Sequence, residues 1–186
     1  MSLPRLPAVL MTAGFFLLPM TAPCTAAEIT VQPGELGAAL EQASGGDTLL
    51  LAKGVHHGSF TINQSLKLIG EMGAVVDGDS KGTVITVGAP GVHIENLTIT
   101  GSGDKLSTED SGIFITAQGD GSVIEGNLLS ENLIGIYLKG PESAIVRNNQ
   151  IDGRQDLRVN ERGNGVQLWN TPGSIVEGNR IRCPGT

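Results

Sequence analysis

One short pattern returns along this chain and constrains its fold more than any other feature. It reads Ser122-Val123-Ile124-Glu125-Gly126-Asn127-Leu128-Leu129, then Ala144-Ile145-Val146-Arg147-Asn148-Asn149-Gln150-Ile151, then Ser174-Ile175-Val176-Glu177-Gly178-Asn179-Arg180-Ile181. Val92-His93-Ile94-Glu95-Asn96-Leu97-Thr98-Ile99 fits the same frame, with Leu97 where the others carry Asn. A second short segment accompanies the pattern as Gly112-Ile113-Phe114-Ile115, Gly135-Ile136-Tyr137-Leu138 and Gly165-Val166-Gln167-Leu168. The step is 22 residues from 122 to 144, and 30 residues from 92 to 122 and from 144 to 174. Steps of this length mark repeat architectures, in which one unit cannot bury its apolar face without a neighbour.

A step near 22 residues, built from two or three four-residue strands and tight turns, is one coil of a β-solenoid. Residues i and i+2 of a strand share a face. Ile113/Ile115, Ile136/Leu138 and Val166/Leu168 are therefore expected to point inward, each stacking on its equivalent about 4.8 Å along the axis. Phe114, Tyr137 and Gln167 are expected to point out. Composition agrees: Gly is the commonest residue at 27, and aromatics make up only 3%, as many turns and short branched strands require. The Leu-rich consensus of a leucine-rich repeat is absent. The expectation is an all-β fold, a right-handed parallel β-helix of the pectin-lyase-like type. Asn127, Asn149 and Asn179 fall at a corner, where Asn tolerates left-handed backbone and its amide can bond the next Asn in a ladder. Leu36, Ala39, Leu40 and Ala43 follow helical spacing between Pro33-Gly34 and Gly45-Gly46. They predict a short N-terminal helix that caps the solenoid. Residues 48–52, 59–62, 66–69 and 75–76 supply the early coils.

Residues 1–27 read as a signal peptide, leaving a β-helix domain over 28–186. The apolar run 8–20 includes Phe15-Phe16-Leu17-Leu18, and small residues lead to a cut after Ala27. The run is shorter than the ~20 residues a membrane span needs, and Pro19 interrupts it. No transmembrane segment is therefore expected in the mature chain, and the expected compartment is the periplasm. Cys24 opens a lipoprotein alternative, which Pro23 disfavours. The whole chain has 12 Lys and Arg against 19 acids, a net charge of −7, and loss of Arg5 makes the mature chain one unit more negative. Such a surface repels a phosphate backbone, so no nucleic-acid partner is expected. Cys183 alone would remain after cleavage, which leaves no internal disulfide. The chain stops at Arg182-Cys183-Pro184-Gly185-Thr186 without a cap, so a truncated C-terminal end is expected.

No catalytic motif is found, and a non-enzyme is expected. Polysaccharide-cleaving β-helices cluster carboxylates on one outer sheet. Here the candidates are Asp77 and Asp79 at a turn, Asp104, Glu109 and Asp110 in one loop, and Asp152 and Asp156 in another. None recurs at stacked positions, and Asp77-Gly78-Asp79 is ordinary turn chemistry. His56 and His57, being adjacent, would point to opposite sides of a strand. His93 lies outward, and Met72 and Cys183 are isolated, so no spacing predicts a metal site. The two excursions that lengthen the step, 100–111 and 152–164, leave the solenoid at the same corner two coils apart. The second is rich in Arg, and Trp169 follows it. Stacked long loops are where a solenoid gains a binding surface. The candidate docking residues are Arg154, Asp156, Arg158, Glu161, Arg162 and Trp169.

These residues also carry a resemblance. The run Arg158-Val159-Asn160-Glu161-Arg162-Gly163-Asn164-Gly165-Val166-Gln167-Leu168-Trp169-Asn170, continuing through Pro172-Gly173 to Gly178-Asn179-Arg180-Ile181, resembles the NosD family of nitrous oxide reductase maturation proteins. Gly46-Asp47-Thr48-Leu49-Leu50-Leu51 and Gly135-Ile136-Tyr137-Leu138 are similar to it as well. The resemblance implies a non-enzymatic periplasmic protein that works with an ABC-type transporter while a copper centre is assembled. It also implies that this chain is an N-terminal part, since members of the family are longer. A carbohydrate-binding or polysaccharide-degrading β-helix is the alternative. Activity on polyuronates, lost on replacing Asp77 or Asp79, would establish that alternative. Charge reversal at Arg158 and Arg162 is expected to weaken partner capture without unfolding the chain.

Overall fold

The computed structural model describes residues 26–158 and 161–182. All but Ala26 and Ala27 of the expected signal peptide 1–27, residues 183–186, and Val159 and Asn160 of the Arg-rich excursion lie outside the described residues. Among the described residues, eighteen short strands form three parallel sheets. Sheet 1 orders β1 (Glu28–Val31), β2 (Thr48–Leu51), β5 (Lys67–Gly70), β8 (His93–Glu95), β11 (Val123–Glu125), β14 (Ile145–Arg147) and β17 (Ile175–Glu177). Sheet 2 runs from β3 (Gly54–His57) through β6 (Ala74–Asp77), β9 (Thr98–Thr100), β12 (Leu128–Asn132) and β15 (Gln150–Gly153) to β18 (Arg180–Arg182). Sheet 3 holds β4 (Phe60–Ile62), β7 (Ile85–Val87), β10 (Ser111–Ile115), β13 (Ile134–Lys139) and β16 (Val166–Trp169). From β2 onward the chain visits sheets 1, 2 and 3 in turn, so each circuit is one coil of a parallel β-helix.

The register shows why the repeat exists. Leu49, Leu68, Ile94, Ile124, Val146 and Val176 form one column in sheet 1. Ile62, Val87, Ile115, Leu138 and Leu168 form another in sheet 3. Their inward members in the middle coils are fully buried, and each such side chain contributes roughly 1.5–3 kcal/mol of transfer free energy. Ile113, Ile115, Ile136 and Leu138 point inward as expected. Leu168, although in the same column, is exposed, because among the described residues no further coil covers it.

The column in sheet 2 opens with an exception. His56 is paired with Val76, which is paired with Ile99, and its side chain is buried inside the helix. Its Nε2 lies 3.0 Å from the Ala52 carbonyl oxygen, while Nδ1 has no partner. Val55 faces out and His57 is exposed. This inverted polarity hid β3 from the sequence pattern. The strands β1 and β7 were also unmarked by it.

Helix α1 (Leu36–Gln42) forms between β1 and β2, with Leu36 buried and Ala39 and Leu40 packed on the core beside Phe60. It lies against β4, the edge strand of sheet 3, and so fulfils the capping role expected of it. Asp47 fixes the chain after the helix. Its carboxylate accepts the Ala27 and Ser44 amides at 2.8 Å each, and these bonds hold the carboxyl below its ordinary range.

At the corner between sheets 1 and 2 the Asn ladder is present. Asn149 Oδ1 accepts the Asn127 amide N–H (3.0 Å) and Nδ2 (3.1 Å). Asn179 Oδ1 accepts the same pair of bonds from Asn149, both at 2.9 Å. Asn127 Nδ2 donates to the Ile94 carbonyl and Asn149 Nδ2 to that of Ile124. One expectation needs correction. The ladder residues are not the left-handed ones; that conformation belongs to the preceding Asn96, Gly126, Asn148 and Gly178, with φ between 55° and 65°. The bend and the amide ladder are therefore tasks of adjacent residues. Gly at the head of the sheet 3 segments has a different cause. A Cβ on Gly135 would meet the Gly165 carbonyl oxygen at 2.4 Å, and one on Gly112 would meet that of Gly135 at 2.9 Å.

Replacing Asn149 by Ala leaves the Asn127 amide and the Ile124 carbonyl without their partners. The variant is expected to lose about 1–3 kcal/mol, seen as a lower urea midpoint at unchanged slope. An unchanged midpoint would remove the ladder from the energetics of the fold.

Candidate functional site

Both excursions leave at the corner between sheets 2 and 3. The first, residues 101–110, joins β9 to β10; the second joins β15 to β16. Asn132, which the sequence pattern did not single out, organises the base of the first. Its Oδ1 accepts the Ser102 amide (3.1 Å) and its Nδ2 donates to the Ile99 carbonyl (2.9 Å). Ser102 Oγ in turn accepts the Leu133 amide at 2.8 Å. Asp110 closes the loop on itself, accepting from the Lys105 amide (3.1 Å) and Thr108 Oγ1 (2.7 Å).

Glu109, in left-handed backbone at φ 58°, reaches across to sheet 3. Its carboxylate accepts Lys139 Nζ at 2.7 and 2.9 Å and Tyr137 Oη at 3.4 Å. That bond raises the Lys139 ammonium above its ordinary value. Lys139 Nζ lies 5.9 Å from the centre of the Tyr137 ring, within cation–π range. Phe114 and Tyr137 point out of the solenoid, as expected, but Tyr137 is not solvated. It is 3% exposed, within a second apolar cluster of Leu133, Ile134, Phe114 and Leu157. Its ring centre is 5.3 Å from that of Phe114. Leu157 belongs to the second excursion and Glu109 to the first, so both loops fold back onto sheet 3 and form a shelf, the second through the small apolar core and the first through its carboxylate.

The shelf sorts the expected docking residues. Arg154 and Asp156 pair with each other, Nε to Oδ1 at 2.9 Å and Nη2 to Oδ2 at 2.5 Å. The Arg154 side chain is 14% exposed, and Asp156 foremost, with Glu131 and Asp104 adding to it, raises its guanidinium above the ordinary value. Arg162 donates from Nε to the Leu157 carbonyl (2.8 Å) and from Nη2 to that of Gln155 (3.1 Å), so it holds the loop's own backbone. Charge reversal at Arg162 would therefore disturb the path of the loop as well as its charge. Arg158 and Glu161 are exposed. Trp169, on the last described strand of sheet 3, is 60% exposed.

The remaining carboxylates are placed as follows. Asp79 Oδ1 lies 2.8 Å from His57 Nδ1, and Asp77 Oδ1 accepts the Asp79 amide at 2.9 Å. Asp104 is exposed, while Asp152 accepts from Gln150 Nε2 at 2.9 Å and sits 4.0 Å from Arg182 Nε. None of these carboxylates stands on an adjacent coil in register with another, but other acids do. On the outer face of sheet 1, Glu95, Glu125, Arg147 and Glu177 stand in register. They fill the same place in the repeated pattern, so the signal lay in the aligned frame. Among the described residues, two groups could offer a metal three ligands: His57, Asp77 and Asp79; and His93, Glu95 and Glu125. Each draws on more than one coil, which is why spacing along the chain did not reveal them.

Residues 61–182 match the family described as right handed beta helix region. The chain is 34% identical to a probable ABC transporter binding protein NosD of Pseudomonas aeruginosa strain PAO1, over 75% of this chain and 33% of that protein. It is 32% identical to the protein of the same name from Stutzerimonas stutzeri, over 76% of this chain and 32% of the other. The chain thus spans about a third of the length of these curated relatives. In solved structures it is similar to an alginate lyase from Paenibacillus sp. strain FPU-7, with a TM-score of 0.59 and 19% identity over 83% of this chain and 66% of that one. That likeness is one of fold.

Glu109→Gln should release the first excursion from Lys139. Cleavage within 101–110 by a low dose of protease is expected to quicken, while the stability read from urea unfolding falls by only about 1 kcal/mol, as for an ion pair still reached by solvent. Equal cleavage rates in variant and parent would show that Glu109 does not hold the shelf.

Proposed function

The chain belongs to the right-handed β-helix family, and from that premise we propose that it is an exported, non-enzymatic accessory protein that docks on an ABC-type transporter. The observation that carries this reading is the shelf. Two excursions from coils that are not neighbours meet at Tyr137, the second adding Leu157 to its apolar cluster and the first bonding it through Glu109, and exposed Arg158, Glu161 and Trp169 stand beside it. Arg and Trp are enriched among residues that dominate binding energy, and a rigid base lowers the ordering cost of using them. The names of the similar proteins, probable ABC transporter binding proteins, support a transporter as the partner. No helix among the described residues is long and apolar enough to cross a membrane.

The finer reading is that the chain works in the periplasm after removal of residues 1–27 and assists maturation of nitrous oxide reductase, with copper as the cargo of the assembly. It rests on the likeness to NosD and on the run from Arg158 to Asn170. The carbohydrate reading has less support. Glu109, Asp110 and Asp156 are occupied by Lys139, by groups of their own loop and by Arg154.

The test uses the tagged chain and detergent-solubilised transporter. Arg158→Glu and Trp169→Ala are each expected to reduce captured transporter by roughly tenfold or more, the effect of losing a binding hot spot, with melting midpoints unchanged. Undiminished capture by both variants would rule out the shelf as the docking surface.

A further inference from the structure

The outer face of sheet 1 carries a group of side chains that the shelf does not use. His93 and Glu95 are two residues apart on β8 and share a face, and Glu125 stands beside Glu95 in register on β11. His93 Nε2 lies 2.9 Å from Glu125 Oε1 and 3.7 Å from Glu95 Oε2. The second oxygen of each carboxylate is held from outside the group. Arg147 Nε donates to Glu125 Oε2 at 2.5 Å, and Asn96 Nδ2 donates to Glu95 Oε1 at 3.1 Å. One nitrogen and two oxygens therefore converge, all within 4.8 Å of one another.

We propose that His93, Glu95 and Glu125 form an open binding site for a borderline first-row divalent cation, of which Zn2+ is the probe. Ligands at 2.0–2.2 Å from a tetrahedral ion are about 3.4 Å apart, and the two measured separations fall on either side of that value. Small rotations of the side chains would suffice. An imidazole with two carboxylates suits Zn2+ and its neighbours, whereas Mg2+ and Ca2+ prefer oxygen alone. The ligands stand on paired strands, and Arg147 and Asn96 orient the carboxylates from behind, as outer-shell partners do. Arg147 offsets one of the two negative charges. Three protein ligands leave a coordination position free, and these side chains are 23%, 33% and 19% exposed. The site is thus built for an ion that exchanges, unlike a closed four-ligand structural centre.

This proposal stands apart from the docking surface. Its test is calorimetric titration of the purified, metal-stripped full chain with Zn2+, checked by equilibrium dialysis. One Zn2+ per chain is expected, with His93→Gln and Glu125→Gln each weakening the affinity by roughly tenfold or more. Both substitutions are on an outward face, and a thermal melt verifies that each variant is folded. His57→Gln, which removes the only imidazole of the other group, should leave the affinity unchanged. Absence of Zn2+ binding at micromolar concentration would overturn the proposal. So would loss of binding in His57→Gln with none in His93→Gln, or displacement of Zn2+ by a modest excess of Mg2+.

Discussion

Hydrogen bonds between successive coils run along the axis of this molecule, and nearly every other feature depends on them. A strand of three or four residues has no stability of its own. It persists here because its amides and carbonyls are taken by the coil before and the coil after, while its inward side chains stack on their equivalents. Pairing and stacking enforce one register. A slip of one residue would turn Ile124 and Val146 to water and draw Glu125 and Arg147 inward, and burying unpaired charges would cost far more than the slip could return.

Corners are where that scheme is weakest, because bending takes backbone groups out of the ladder. The chain meets this with amides that act as extra backbone. Asn127, Asn149 and Asn179 bridge coils at one corner, and Asn132 with Ser102 does so at another. Corners are also where extra residues can be inserted without disturbing the sheets. A coil that carries an excursion still pairs with neighbours that do not, as β10 does with β13. Growth of a surface is therefore confined to the corner, and the two excursions that share it close over Tyr137.

The same geometry explains which parts of the site were legible in the chain and which were not. Inward columns, the Asn ladder, the short helix and the common origin of the two excursions follow from a repeated pattern, and a pattern survives in one dimension. That His56 and His57 face opposite sides follows from alternation, but a polar residue at an inward place gives no sign of which of the two is buried. Lys139 and Glu109 are 30 residues apart and meet only because one loop happens to fold over the neighbouring coil. The docking residues were named from composition, and the bonds that occupy Arg154, Asp156 and Arg162 depend on the loop's path.

By itself, then, the sequence determined the architecture: a parallel β-helix, its inward and outward faces, its Asn corner and the places where loops leave it. Strict alternation and a recurring step leave no other way to bury the apolar residues. Only the tertiary structure decided which outward groups become neighbours. Adjacent coils bring side chains within about 5 Å of one another, yet the step between coils varies from 19 to 30 residues. Contacts such as His93 with Glu125, or Tyr137 with Leu157, are therefore set by register and loop path and not by distance along the chain.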